Sequence, residues 1–263
     1  MEYQHILFTR SEGVGHISLN SPGTLNALTR DMLREFDAAL DVCSAPDSGV
    51  RCLLLTGEGR GFSSGMNLAD PGGSKSARLD TGHILDQIIS PLVQKWRDLE
   101  IPVVVGLHGA TAGVTMSIAL MGDIILAARS AYFLQPFSNI GLIPDGGATW
   151  LLPRMLGKAR AFEVSLLGER LPAEKALEWG LINAVHDDDK LRDEAVAMAR
   201  RLAQGPTRAF ALTRKAFWDG FENTFNQQLY LESIFQRAAG STDDAQTARQ
   251  AFLEKKRPVF TGR

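Results

Sequence analysis

Three short runs of apolar residues constrain the fold of this chain most strongly. They span residues 51–55, 103–107 and 123–127, and each is almost continuously apolar rather than alternating. Continuous runs of this length are typical of strands that are buried on both faces of a sheet. Helix-like segments, with apolar residues three and four positions apart, lie between the strand-like runs. The pattern therefore predicts an α/β fold whose sheet is covered on both sides.

The pattern becomes mostly helical from residue 160 onward. Helix-like segments span residues 193–203, 208–218, 224–239 and 243–254. They carry more aromatic side chains than a solvated surface tolerates, including Phe217, Trp218, Phe221, Phe225, Tyr230 and Phe235. These side chains either pack within the chain or face a sister subunit.

Composition excludes several classes of protein. The 28 basic residues are balanced by 30 acidic ones, so there is no excess of positive charge that would indicate a nucleic-acid partner. The two cysteines, Cys43 and Cys52, fit neither a disulfide framework nor the spacing of a zinc site. No stretch approaches the roughly 18 apolar residues of a membrane span. We therefore predict a cytoplasmic protein without a metal, a nucleic-acid partner or a membrane partner.

One motif suggests a hydrolase. Residues 61–65 match G-x-S-x-G, and Ser63, Asp145 and His186 follow the chain order of a catalytic triad. The motif requires a serine on a sharp turn directly between a strand and a helix, but residues 57–61 separate Ser63 from the preceding strand-like run. We therefore expect no triad.

Several sequence blocks, in order and at consistent spacing, resemble the successive signatures of the crotonase superfamily of enoyl-CoA hydratases and isomerases. The blocks are 24–28 (TLNAL), 59–68 (GRGFSSGMNL), 101–113, 122–124, 141–147 (GLIPDGG), 176–181 and 252–258. The resemblance covers nearly the whole chain. It implies an α/β fold: a crotonase-like spiral of β-β-α units over residues 1–195, which holds the CoA-thioester site. A helical region over residues 196–263 would then build a homotrimer, or a hexamer from two trimers.

The resemblance also implies a site. Two backbone N–H groups, those of Ser64 and Val114, would hold the oxyanion of an acyl-CoA thioester, and small neighbouring residues would allow its close approach. The family commonly has glycine where Val114 stands. The implied substrate-binding residues are Thr24, Ala27, Ser64, Gly65, Met66, Asn67, Gly113, Val114, Phe137 and Lys255. Coenzyme A belongs to the substrate, so no separate cofactor is expected.

The reaction depends on acidic residues near this site. Hydratases of the family use two glutamates, at positions that Ser117 and Phe137 occupy here, and neither residue is an acid or base at neutral pH. Asp145 is the one carboxylate of the local pattern, and the surrounding residues resemble those of ring-1,2-epoxyphenylacetyl-CoA and Δ3,Δ2-enoyl-CoA isomerases. We predict an isomerase in which Asp145 is the single acid/base. An apolar pocket of Phe137, Ile143 and Trp150 would raise its pKa.

Alternatives remain open. Asp145 also suits the N-cap of a helix, and the alternatives to an isomerase are an enoyl-CoA hydratase and a non-catalytic member of the family that binds acyl-CoA. Dehalogenases of the family pair a nucleophilic aspartate at this position with a tryptophan and a histidine. Because Phe137 and Ser90 stand at those two positions here, we do not expect dehalogenation. The polar residues 70–81 are expected to form a lid over the acyl group.

Overall fold

The computed structural model describes residues 3–68 and 80–263. The predicted lid, residues 70–81, lies outside these residues except for its last two positions. The nine strands of the described residues are β1 (Ile6–Ser11), β2 (Val14–Leu19), β3 (Cys52–Gly57), β4 (Val103–Leu107), β5 (Ala110–Ala112), β6 (Ile124–Ala128), β7 (Tyr132–Leu134), β8 (Leu171–Pro172) and β9 (Ala184–His186). They form a six-stranded sheet in the order β1-β2-β3-β4-β6-β9 and a three-stranded sheet in the order β5-β7-β8.

Ten α-helices accompany these strands in the described residues. They are α1 (Arg30–Ser44), α2 (Thr81–Ile84), α3 (Ser90–Arg97), α4 (Val114–Leu120), α5 (Ala148–Leu167), α6 (Ala173–Glu178), α7 (Leu191–Ala203), α8 (Thr207–Gly220), α9 (Phe225–Gly240) and α10 (Asp243–Leu253). A π-helical turn, Leu85–Ile89, joins α2 to α3. The α/β prediction is confirmed.

The large sheet is the centre of the core. Strands β3, β4 and β6 are its parallel middle, and β4 is buried along its whole length, as the apolar runs predict. Helix α1 covers one face with Met32, Leu33, Phe36 and Leu40, and its first turn is capped by Thr29, whose hydroxyl accepts the Met32 N–H at 3.1 Å.

Helix α7 also belongs to this core. Its residues Ala195, Ala199 and Ala203 are buried, and a side chain at Gly106 of β4 would come within 3.2 Å of the Ala195 Cβ. The domain boundary predicted between residues 195 and 196 therefore falls inside a core helix. The core extends to Ala203, and the C-terminal helical region is α8 to α10.

A buried ion pair fixes α8 to the sheet. The Arg214 side chain is almost fully buried, and its Nε donates to Asp123 Oδ1 at 2.8 Å, directly before β6. The same guanidinium donates to the carbonyl oxygen of Leu99 at 3.0 Å. Because the charge is paired and hydrogen-bonded, its burial is tolerated.

The aromatic side chains of the C-terminal helices fall into two sets, one packed within the chain and one exposed. Trp218 and Phe221 pack within the chain against Trp150, with ring centroids 5.7 and 5.2 Å from that ring. In contrast, Phe217, Phe225, Tyr230 and Phe252 are 71–81% exposed, and α9 has no buried residue. The chain alone thus leaves a large apolar surface on these helices uncovered.

Candidate active site

Two distant loops are paired side by side at the edge of the core. Ser63 forms a parallel β-bridge with Thr111, in which the Ser63 N–H donates to Ala110 at 2.9 Å and the Ala112 N–H donates to Ser63 at 3.0 Å. Met66 and Val114 each follow the bridge by three residues. The pairing therefore brings the two segments that carry these residues to the same place.

Glycines allow this close approach. A Cβ at Gly65 would lie 3.1 Å from the Ala112 carbonyl oxygen and 3.8 Å from the Gly113 Cα. Gly65 has φ +95° and Gly113 has φ +58°, a region that side-chain-bearing residues rarely adopt. The two glycines thus place the following N–H groups, of Met66 and Val114, on neighbouring turns.

The predicted donor at Ser64 is wrong. Its N–H donates to the Leu25 carbonyl at 2.9 Å and has no hydrogen left for a substrate. Met66 is different, because its bridge to Leu28 uses the Gly65 carbonyl and the Asn67 N–H rather than its own N–H. Within the described residues, the Met66 N–H has no hydrogen-bond partner. Met66, predicted only as a substrate-binding residue, thus carries the free N–H.

The Val114 N–H is free for a different reason. Val114 is the first residue of α4, and N–H groups in a first turn have no intrahelical acceptor. Its side chain points towards Gly146, where a Cβ would be 2.8 Å from the Val114 Cγ2. Gly146 therefore makes room for a valine where the family commonly has glycine. The positive end of the helix dipole at Val114 also favours a developing negative charge.

Asn26 holds the first loop in place, a role that the sequence did not reveal. Its side chain is fully buried, and Nδ2 donates to the carbonyl groups of Glu58 at 2.8 Å, Gly61 at 2.9 Å and Phe62 at 3.1 Å. The buried Ser63 hydroxyl donates to the Asn26 carbonyl at 2.7 Å. Ser63 is therefore a structural residue and not the nucleophile of a triad.

Asp145 lies in the segment before α5, directly before Gly146, which is next to the Val114 side chain. Its Oδ1 is buried without a hydrogen-bond partner among the described residues. Burial raises the pKa of Asp145 to about 6, although the aspartate's own backbone N–H partly opposes this by hydrogen bonding to the carboxylate. The N-cap alternative is wrong, because Gly147 is the N-cap of α5 and the cap uses no side chain.

Ser117 positions the Asp145 backbone. Its buried hydroxyl donates to the Asp145 carbonyl at 2.8 Å. Phe137 closes the same region, since a Cβ at Gly113 would be 3.7 Å from the edge of its ring. The two positions that carry glutamates in hydratases thus hold a hydrogen-bond donor to the backbone and an aromatic ring.

Asp145 faces a cleft of about 350 Å³ between two walls. One wall is the segment 142–147, and the other is formed by Thr81, Leu85, Ser90, Val93 and Gln94. Ile143 lines the cleft as predicted, whereas Phe137 is not among the residues that line it. Trp150 does not line it either, because its ring stacks on Trp218, and its predicted role in the pocket is wrong.

The other predicted binding residues divide into two groups. Thr24 and Ala27 lie behind the first loop, where the Thr24 carbonyl accepts hydrogen bonds from the Ser64 hydroxyl at 3.2 Å and from the Ala27 N–H at 3.3 Å. The Asn67 N–H donates to Leu28 at 2.9 Å in the same loop. Lys255 follows α10 and makes no hydrogen bond or ion pair with the described residues of the two loops. Its role in binding phosphates stays a prediction.

Residues 3–68 and 80–263 contain no cluster of three or more His, Cys, Asp or Glu side chains that could hold a metal ion. No helix in this part of the chain is long and apolar enough to cross a membrane.

Comparison with known proteins agrees with this geometry. The model of the enoyl-CoA hydratase/isomerase family matches residues 9–263. The chain is 42% identical to 1,2-epoxyphenylacetyl-CoA isomerase of Escherichia coli K12, over 99% of both chains. It is 41% identical to a Rhodobacter capsulatus protein named "Probable enoyl-CoA hydratase", over 100% of both chains.

The fold agrees with the same family. The crystal structure of enoyl-CoA hydratase from Bacillus anthracis superimposes with a TM-score of 0.91 at 27% identity, covering 99% of this chain and 100% of that one. The spiral α/β core and the C-terminal helices are therefore those of the crotonase fold. With this fold and a family match from residue 9 to residue 263, this chain belongs to the enoyl-CoA hydratase/isomerase family.

Proposed function

We propose that this chain is a CoA-thioester isomerase. The observation that carries the proposal is the single carboxylate of the cleft: among the described residues that line it, only Asp145 can transfer a proton near neutral pH. Hydration requires a water molecule to be held and activated while a proton is added to the substrate. Isomerisation requires only that one group removes a proton and returns it elsewhere.

The proposed reaction uses three groups. The Met66 and Val114 N–H groups donate hydrogen bonds to the thioester oxygen, and the ionised Asp145 carboxylate removes a proton from the carbon next to the thioester. The resulting enolate is stabilised by the two N–H groups, because they are already oriented towards the developing charge. Protonated Asp145 then returns the proton to a different carbon, which shifts the double bond. Isomerisation of a ring epoxide would use the same enolate stabilisation.

Product analysis distinguishes this reaction from its alternatives. We expect the purified protein to convert a 3-enoyl-CoA or a ring-epoxide CoA thioester into an isomer of the same mass, detected by mass spectrometry and by absorbance. A dominant product heavier by one water would support the enoyl-CoA hydratase alternative, which the name of the Rhodobacter relative favours. A protein that binds acyl-CoA but transforms no thioester would support a non-catalytic role.

We further propose that the protein acts as a homotrimer, or as a hexamer of two trimers, in the cytoplasm and without a separate cofactor. The exposed aromatic side chains of α8 to α10 support the oligomer, because burial between subunits would remove them from water. We expect light scattering to give a mass of three or six times the 28.7 kDa of one chain. Replacing Phe225 and Tyr230 with serine should lower this mass, whereas Leu7→Ser, which changes an exposed side chain on β1, should not. A monomeric wild type would contradict the proposal.

A further inference from the structure

The helical wall opposite Asp145 contains an unusual turn. Between α2 and α3, the Ser90 N–H donates to the Leu85 carbonyl five residues earlier, which makes Leu85–Ile89 a π-helical turn. Pro91 explains it, because proline has no N–H to donate and its ring collides with the carbonyl four residues earlier in an ordinary α-helix. Widening the preceding turn by one residue relieves this conflict. Such turns are frequent at functional sites.

The wider turn decides which side chains face the cleft. In a regular α-helix Leu85 would lie in line with Ile89, which is instead buried in the core. The five-residue turn brings Ser90 into line with Leu85, and Gln94 follows one regular turn later on the same face. Both side chains accordingly line the cleft with Leu85, on the wall opposite Asp145.

These two polar side chains stand among apolar ones. Leu85, Val93, Leu142 and Ile143 also line the cleft. Ser90 and Gln94 are both exposed, and neither the Ser90 hydroxyl nor the Gln94 amide has a hydrogen-bond partner among the described residues, so water hydrates both groups in the free protein. An acyl group made only of hydrocarbon would remove water from both groups and replace none of their hydrogen bonds, which is unfavourable.

We propose that Ser90 and Gln94 bind an oxygen atom of the acyl group, and so make the cleft selective for oxygen-bearing acyl-CoA thioesters over hydrocarbon ones. Both side chains can donate a hydrogen bond, as an ether, epoxide or carbonyl oxygen requires. The inference rests on the proposed function in one respect, since it assigns this cleft to the acyl group. It does not depend on which reaction follows.

The test measures binding rather than turnover. The ligands are saturated acyl-CoA thioesters of equal length, one with only methylene groups and three with an ether oxygen in place of one methylene at successive positions. Titration calorimetry gives the Kd of each ligand for the wild type and for a Ser90→Ala/Gln94→Leu variant. For at least one ether ligand, we expect the ratio of hydrocarbon Kd to ether Kd to fall by about tenfold in the variant.

The controls separate this assignment from others. Thr81→Val removes another polar side chain of the same wall and should leave the ratio unchanged, as should Ser90→Thr, which keeps the hydroxyl. A ratio that changes by less than about twofold in the double variant, for all three ether positions, would overturn the inference. So would a loss of the ether preference in Thr81→Val alone. Because the ligands do not react, a protein that fails the product assay can still be tested here.

Discussion

Asp145→Asn is expected to lower kcat/KM for isomerisation by about 10²–10⁴-fold, the usual contribution of a general acid/base. Asparagine keeps the shape of the side chain but cannot take up a proton. Since the Met66 and Val114 N–H groups are unchanged, binding of a saturated acyl-CoA should be preserved. The matched control is Asp189→Asn, which changes an exposed carboxylate elsewhere and should retain wild-type kcat/KM. A fully active Asp145→Asn enzyme would rule out the proposed mechanism.

The dependence of kcat/KM on pH tests the role of Asp145 in a second way. Asp145 has to be ionised to remove the first proton, and burial raises its pKa to about 6. In the wild type, kcat/KM should therefore be constant above this pH and fall about tenfold per pH unit below it. The residual activity of Asp145→Asn should not show this fall at low pH. A fall that persists in the variant would mean that another group causes it.

Stability serves as a check on folding. In the wild type the folded-state pKa lies above the ordinary value of 3.8, so ionisation of Asp145 opposes folding. This destabilisation is complete above about pH 6 and disappears as the pH falls below the ordinary value. Asp145→Asn should therefore be at least as stable as the wild type at pH 8 in thermal unfolding. A large loss of Tm would mean that the loss of activity reports misfolding.

Met66→Pro is expected to lower kcat by about 10²–10³-fold, the effect of removing one oxyanion donor. Proline removes one of the two N–H groups that we assign to the thioester oxygen, while the bridge to Leu28 keeps both of its hydrogen bonds, which use Gly65 and Asn67. Met66→Leu is the matched control, because it changes the side chain and retains the N–H. It should keep nearly full activity.

Two further measurements make the Met66 result interpretable. Circular dichroism and acyl-CoA binding should show that Met66→Pro is folded, since a proline can also disturb the preceding glycine turn. Ser64→Ala should remain active, because alanine keeps the main-chain N–H that donates to Leu25 and removes only the hydroxyl that donates to the Thr24 carbonyl. Near-complete activity in a folded Met66→Pro variant would contradict the assignment of the Met66 N–H as a donor to the thioester oxygen.

The fold could largely be predicted because its signals are local. Continuous apolar runs predicted β3, β4 and β6, and apolar residues three and four positions apart predicted the helices between them. The domain boundary was misplaced, since the alanines of α7 pack on the sheet although they give only a weak apolar signal.

The site could be predicted only in part, because its details depend on contacts between distant segments. Which N–H is free in the first loop is decided by the Leu25 carbonyl, which the left-handed turn at Leu25 and Asn26 directs at Ser64. The position of Trp150 is decided by its contact with Trp218. Pro91, a proline within a helix, is the one local sequence signal for the π-helical turn. That this turn directs Ser90 to the same face as Leu85 can be seen only in the folded chain.

The parallel bridge between Ser63 and Thr111 holds the main-chain groups proposed to bind the thioester, whereas other segments supply the side chains around the acyl group. Evolution can therefore change the second set without changing the first. The proposed oxyanion hole is made of main-chain N–H groups, so substitutions at Met66 or Val114 other than proline keep its donors as long as the glycines before them remain. The walls of the cleft consist of side chains on other segments, at positions such as 90, 94, 143 and 145. New chemistry can therefore arise by exchanging wall residues around an unchanged thioester site, and redesign of this protein should begin with those walls.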